Sequence, residues 1–177
     1  YEWRQERVDT DVQFAVTQRD TDSLFAIYQW RDAVQAVQAN LRHDESSQYG
    51  GQTTGAVAYG YRLAPAWRFT AGAATGFKAP SFNDLYYPGF STPDLEPETA
   101  RNVEAGLHWG AAVANGTVNA RAIAYLNRIE QLIVFRCDPS FNCTPQNVDR
   151  ATLTGVTLGL DVDVGTFSAV ASLDLGN

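Results

Sequence analysis

Lys78 is the only lysine in 177 residues, and 13 basic side chains stand against 20 acidic ones for a net charge of −7. A chain this acidic has no basic stripe to track a phosphate backbone, which excludes nucleic acid as a partner. No apolar run approaches the ~20 residues that a membrane-spanning helix requires. The chain starts at Tyr1 without the charged start or apolar core of a secretory signal, and it stops at Asn177 directly after an alternating run. It therefore reads as a trimmed section whose ordered structure continues in a longer parent. Cys137 and Cys143 are the only cysteines, with five residues between them and no neighbouring histidine. That spacing makes a poor zinc site and leaves a small disulfide loop or two free thiols. His43 and His108 lack ligand spacing to each other or to cysteine, and no G-x-S-x-G, P-loop or glycine-rich dinucleotide turn occurs. No catalytic residue is assigned.

What the chain does have is a period of two. From Thr152 to Val164 the even positions include Val156, Leu158, Leu160, Val162 and Val164, while the odd ones include Gly155, Thr157, Gly159, Asp161 and Asp163. Phe167, Ala169, Ala171, Leu173 and Leu175 continue the greasy side after Gly165–Thr166. Residues 54–63, 67–77, 102–109 and 117–128 alternate in the same way, and 1–8, 23–30 and 33–43 do so with more exceptions. About nine strands result. The seven prolines are expected between them, because a strand interior needs every backbone N–H.

Connections alternate too. Short turns are expected around Arg31, Ala64–Ala66, Gly110–Gly116 and Gly165, and long loops at 8–22, 43–51, 78–98 and 136–148. An up-and-down meander with such ends reads as a transmembrane β-barrel wall: runs of about ten residues cross a tilted bilayer core, and only a closed barrel satisfies every backbone group there. Trp3, Trp30, Trp67 and Trp109 are expected near the short-turn end, at an interface level that suits indole. Arg68, Glu104, Arg121, Asp161, Asp163 and Asp174 fall on the polar, lumen-facing side. A soluble β-sandwich binding module also alternates, and a self-contained small barrel would suit the length; both stay open at this point.

The stretch "GFKAPSFNDLYYPGFSTPDLEPETARNVEAGL", residues 76–107, carries Lys78-Ala79-Pro80, Leu85-Tyr86 and Asp94-Leu95-Glu96-Pro97-Glu98. It resembles the barrel of TonB-dependent outer-membrane receptors, and most closely the cobalamin-receptor branch. "NVDRATLTGVTLGLDVDVG" and "YEWRQER" are similar to other strands of that family. The resemblance implies an all-β, antiparallel segment of about nine strands from a barrel of about 22. Residues 1–177 would belong wholly to the barrel domain, without the plug and the closing strands. It implies a transport receptor in the Gram-negative outer membrane, not an enzyme, with cobalamin or another corrinoid as ligand, TonB as partner through the plug, and outer-membrane lipid around the wall. A siderophore or haem receptor of the same family would share nearly every feature. An oxidising outer compartment favours the Cys137–Cys143 disulfide.

The prolines of the loop fix φ at several positions, so it keeps a shape at less entropic cost on binding. Phe82, Tyr86, Tyr87 and Phe90 are candidates either for ligand contact or for packing onto the rim, with Tyr86 and Tyr87 the first choices for contact. Asp9, Asp11, Asp20 and Asp22 form two D-x-D pairs. The family's cobalamin receptors order outer loops with calcium, but their ligands lie earlier in the barrel, so these carboxylates read as solvated loop ends and no metal is assigned.

Overall fold

A computed structural model describes the backbone of residues 1–177 and every side chain except that of Asp149. The strands are β1 (Glu2–Arg7), β2 (Gln18–Arg31), β3 (Gln35–Ser46), β4 (Gly50–Ala64), β5 (Trp67–Lys78), β6 (Glu98–Val113), β7 (Gly116–Cys137), β8 (Cys143–Val164) and β9 (Phe167–Gly176). One short helix, α1 (Phe82–Tyr86), interrupts them. All nine strands form one antiparallel sheet in chain order, so each neighbour in space is also the neighbour in sequence.

Register turns the period of two into two faces. Across six strands, Tyr61, Phe69, Leu107, Ala122, Leu158 and Leu173 stand opposite one another in a row, and every member is apolar or aromatic. The adjacent row, one residue along and therefore on the other face, reads Arg62, Arg68, His108, Arg121, Gly159 and Ser172. A one-residue slip of any strand would break both rows.

No second layer covers the apolar face: among the described residues the buried apolar side chains are Phe14, Phe82, Leu85 and Leu95, all from α1 or the long loops and none from a strand. Leu107, Leu158, Leu160, Leu173 and Leu175 are exposed. An uncovered apolar surface of this extent is incompatible with a folded soluble domain, and a single sheet excludes the sandwich. The self-contained small barrel also fails, because β1 and β9 stand at opposite ends of the order and do not pair.

On β7 the apolar face runs from Val118 to Leu126 before Arg128 interrupts it. At ~3.3 Å per residue and the usual tilt, this run spans roughly 20–25 Å of height, the thickness of an apolar membrane band. β7 and β8 each have 22 residues and continue well past that band.

Three expectations need correction here. The connection expected at 8–22 shrinks to residues 8–17, that at 43–51 to 47–49 and that at 136–148 to 138–142, because the hydrogen-bond ladder continues as polar hairpins where the apolar alternation stops. Trp30, Trp67 and Trp109 lie towards the short turns, with Trp67 directly opposite Trp109. Trp3, however, pairs with Asp22 in the half of β2 next to the long loops. The reason is direction: β1 runs into the loop at 8–17, so its residues belong to that end. Pro145 lies inside β8, opposite Phe135, in the polar hairpin beyond the apolar band rather than between strands.

The short turns are built for tightness. Asp32 accepts the N–H groups of Val34 and Gln35, both at 2.7 Å, and these two bonds hold its carboxylate below the ordinary range. Asn115 takes a left-handed φ of 64°, and Gly165 donates to its carbonyl at 2.8 Å. Gly116 is required at its position, since a Cβ there would lie 1.8 Å from the Asp163 carbonyl.

Candidate functional site

Among the described residues, the buried apolar side chains gather at the long-loop end. Residues 79–97 leave β5, form α1 and pack against Arg19 of β2 and Phe14 of the 8–17 loop. Ser81 starts α1 with a reciprocal cap: its hydroxyl accepts the Asp84 N–H at 3.2 Å, and the Asp84 carboxylate accepts the Ser81 N–H at 2.9 Å. That cap turns Phe82 and Leu85 inward, where both are buried.

Phe82 meets Arg19 there. Arg19 is 7% exposed, donates to Glu6 at 2.7 Å, to Gln48 at 2.9 Å and to the Pro80 carbonyl at 3.0 Å, and its guanidinium lies 5.2 Å from the Phe82 ring centre and 5.6 Å from that of Tyr49. One cation thus ties β1, β2, the β3–β4 turn and the Lys78-Ala79-Pro80 turn together. The far end of the loop is held by Asn147 on β8, which accepts the Glu96 N–H and donates to the carbonyls of Glu96 and Gln131. Glu98 then accepts from Lys78 at 3.1 Å and from the Ile133 N–H at 3.0 Å.

The four aromatic candidates separate under this packing. Phe82 is 8% exposed and is committed to Arg19. Tyr86 is half-buried. Tyr87 meets Phe14 edge-on at 6.0 Å and Phe90 at 6.1 Å, with 37% and 52% of Tyr87 and Phe90 left open to solvent. Tyr87 and Phe90 therefore present ring surface from a loop that is fixed beneath them.

Sequence reasoning missed two further exposed aromatic residues at the long-loop end. Phe135 is exposed on the outer part of β7, and Phe141, at a left-handed φ of 62° in the β7–β8 tip, is 86% exposed. The signal was available: Phe141 is the one aromatic residue within the turn-rich CDPSFNC stretch. The tip itself is closed by a Cys137–Cys143 disulfide between directly opposed residues. Inside it, Asn142 bonds the Asp138 carboxylate through its side chain and backbone N–H, and Ser140 adds a third bond. These bonds, the Asn142 side chain first, hold the Asp138 carboxyl below its ordinary range.

The inner wall carries polar pairs. Arg121 pairs with Asp161 at 2.7 Å, and His108 shares a 3.0 Å hydrogen bond with Thr70. The D-x-D carboxylates do not converge: Asp20 is taken by Gln5 and Gln18, Asp22 by the Tyr1 hydroxyl, and among the described residues no three His, Cys, Asp or Glu side chains gather as a cation cage. The residues present do not fit a calcium ion, and no step is assigned to one.

Residues 2–176 match the family described as TonB dependent receptor-like, beta-barrel. Among curated proteins, the chain is 32% identical over 162 residues to the vitamin B12 transporter BtuB of Photobacterium profundum, covering 89% of this chain and 26% of that protein. It is 30% identical over 146 residues to the BtuB of Vibrio vulnificus, covering 82% and 23%. Among solved structures, the fold is shared with the Serratia marcescens hemophore receptor HasR at a TM-score of 0.77 and 15% identity, over 89% of this chain and 34% of that one. The siderophore receptor PirA of Acinetobacter baumannii gives a TM-score of 0.75 at 18% identity, over 89% and 27%. Proteins of this family are transport receptors of the outer membrane. The chain spans about a quarter of the length of the curated relatives it matches, and it belongs to the TonB-dependent receptor β-barrel family.

Proposed function

We propose that this chain forms wall and outer loops of a multi-pass receptor in the Gram-negative outer membrane that imports cobalamin or a related corrinoid. The observation that carries the ligand class is the 32% identity, over 89% of the chain, to a protein named as a vitamin B12 transporter. The solved receptors named for siderophores and hemophores share the fold at 15–18% identity, a level that speaks to architecture alone. TonB and the plug act through the rest of the protein. The contribution of this section is capture.

Tyr87 and Phe90, with Tyr86 in the same loop, supply flat apolar surfaces suited to a macrocycle, and Phe135 and Phe141 expose further rings on the β7–β8 hairpin. Arg19 and Asn147 hold the supporting loop in one shape, so little order has to be gained on binding. Equilibrium binding of cyanocobalamin to the full-length protein, with ferric siderophores and haem as competitors, tests the reading. A corrinoid should bind, and Tyr87→Ala with Phe90→Ala should weaken it roughly tenfold. Binding of a siderophore or haem, with no corrinoid binding, would reassign the ligand.

A further inference from the structure

β7 outruns its neighbour. The last pair between β6 and β7 is Thr99 with Glu130, yet β7 continues to Cys137, paired there with β8 alone. Residues 131–137 therefore have one edge along which no strand lies. In an antiparallel ladder, successive residues turn their N–H and C=O groups alternately towards one neighbour and away from it. Three observations fix the phase here. The Asp138 N–H donates to the Asn142 carbonyl at 3.0 Å, which directs the even-numbered residues at β8. The Ile133 N–H donates away from β8, to the Glu98 carboxylate of β6 at 3.0 Å. Phe135 stands opposite Pro145, which has no N–H to give it. The Ile133 carbonyl, both backbone groups of Phe135 and the Cys137 N–H thus face the open edge. Beyond the Glu98 bond, no loop backbone or side chain among the described residues is hydrogen-bonded to them.

An exposed edge of strand-forming residues is a template for another strand, and natural sheets blunt such edges with lysine, proline or a covering loop. The Leu132-Ile133-Val134-Phe135 run of β7 carries none of these. It lies well beyond Leu126 and Arg128, where the apolar face ends, so it stands clear of the bilayer. The Cys137–Cys143 disulfide ties β7 to β8 at the tip, so the edge is held as a strand before anything binds and little order has to be gained. Its side chains state what the added strand should carry. Phe135 is 61% exposed and offers an apolar ring. Arg136 is exposed and, among the described residues, has no ion pair within 4.0 Å, so it offers an uncompensated positive charge.

We propose that the open edge of β7 from Ile133 to Cys137 is a docking site for an extended peptide segment of a second protein outside the cell. The segment adds as an antiparallel strand beside β7, with an apolar side chain opposite Phe135 and a carboxylate opposite Arg136. Main-chain bonds to Ile133, Phe135 and Cys137 supply affinity, and the two side-chain pairs supply selectivity. The inference does not depend on which ligand the receptor imports.

The probe is a synthetic cyclic β-hairpin peptide whose free strand reads Thr-Val-Glu-Val-Thr, which sets its glutamate opposite Arg136 and its valines opposite Phe135 and Cys137. Its binding to the full-length protein is followed by fluorescence polarisation and by amide hydrogen exchange. Bound probe should slow exchange at the Phe135 and Cys137 amides and leave Val134 and Arg136, already bonded to β8, unchanged. Arg136→Glu should weaken binding roughly fivefold, and a probe with lysine in place of its glutamate should bind that variant better than wild type. Phe135→Pro removes an edge N–H and no bond to β8, so it should bind the probe roughly tenfold more weakly than Phe135→Val, which keeps that N–H. Should the proline variant fail to fold, the charge swap at Arg136 still decides. Absence of probe binding to wild-type protein at millimolar concentration, equal binding by the proline and valine variants, or no preference in the charge swap would overturn the docking site. Protection of the Phe135 and Cys137 amides in the protein without probe would give the edge to another segment of the same protein and overturn the second-protein partner.

Discussion

Asn147 grips Glu96 by both of its backbone groups, accepting its N–H at 2.9 Å and donating to its carbonyl at 3.0 Å across 51 residues of chain. A third bond at 2.7 Å runs from the same carboxamide to the Gln131 carbonyl. The outer loop is therefore fastened to β8, three strands beyond the one it leaves. Replacing Asn147 with Ala removes three bonds that each contribute about 1 kcal/mol. Hydrogen exchange should speed up within residues 79–97 and stay unchanged in the membrane-spanning part of β6. Unchanged exchange in the loop would contradict the clamp.

Arg19 fixes the other end of that loop. Arg19→Ala leaves the Pro80 carbonyl and Glu6 without their partner, at a cost of roughly 2 kcal/mol because Glu6 is partly open to water. Arg19→Lys keeps the charge but not the fork, and should recover less than half. Limited proteolysis after Lys78 or Tyr86 reads the effect directly: cleavage should rise in the order wild type, Lys, Ala. Equal cleavage of all three would show that the loop is held by something else.

The hairpin tip should loosen in acid. Asn142 and Ser140 hold the Asp138 carboxyl below its ordinary value, so its folded value lies beneath the unfolded one. Its contribution to tip order is then complete above the unfolded value of about 3.9 and is lost as pH falls through the lower folded value. Exchange protection of the Ser140 and Asn142 amides, corrected for intrinsic rate, should be flat at neutral pH and fall only below about pH 4. The Asp138→Asn variant should lack this acid-dependent fall. Protection that declines identically in the variant would remove Asp138 as the cause.

How much of this was legible beforehand differs by element. The strands from β4 to β9 could be read because their two faces meet different media, and that difference writes a period of two into the residues from Val57 to Leu175. The polar hairpins at Asp44–Gln52 and Arg136–Asn147 could not, since no alternation of apolar and polar residues marks the hydrogen-bond ladder that runs through them. Direction along the chain, not composition, decides which end holds Trp3. In the candidate site, the aromatic run at 82–90 marked the right loop. The residues that shape it, Arg19 and Asn147, lie 61 residues from Pro80 and 51 from Glu96, and no local pattern announces contacts at that separation.

A charge on the outward face is expected to be expensive where the same charge on the inward face is not. Leu158→Arg should destabilise the barrel by about 2–4 kcal/mol in a bilayer. Thr157→Arg, one residue away and beside Asp174 on the inner face, should cost under about 1 kcal/mol. Urea unfolding of the full-length protein from vesicles measures both, and equal losses would deny that the two faces meet different media.

The most direct measurement uses spin labels placed singly at each position from Val156 to Asp163 in the full-length protein in bilayers. Oxygen, which concentrates in hydrocarbon, should relax labels at Val156, Leu158, Leu160 and Val162. A water-soluble nickel chelate should relax labels at Thr157, Gly159, Asp161 and Asp163. Alternation with this phase places the greasy rows against acyl chains and the polar rows along an aqueous interior. Protection of the even positions from both reagents would contradict the account, because it would put Leu158 and Leu160 inside a dry protein core.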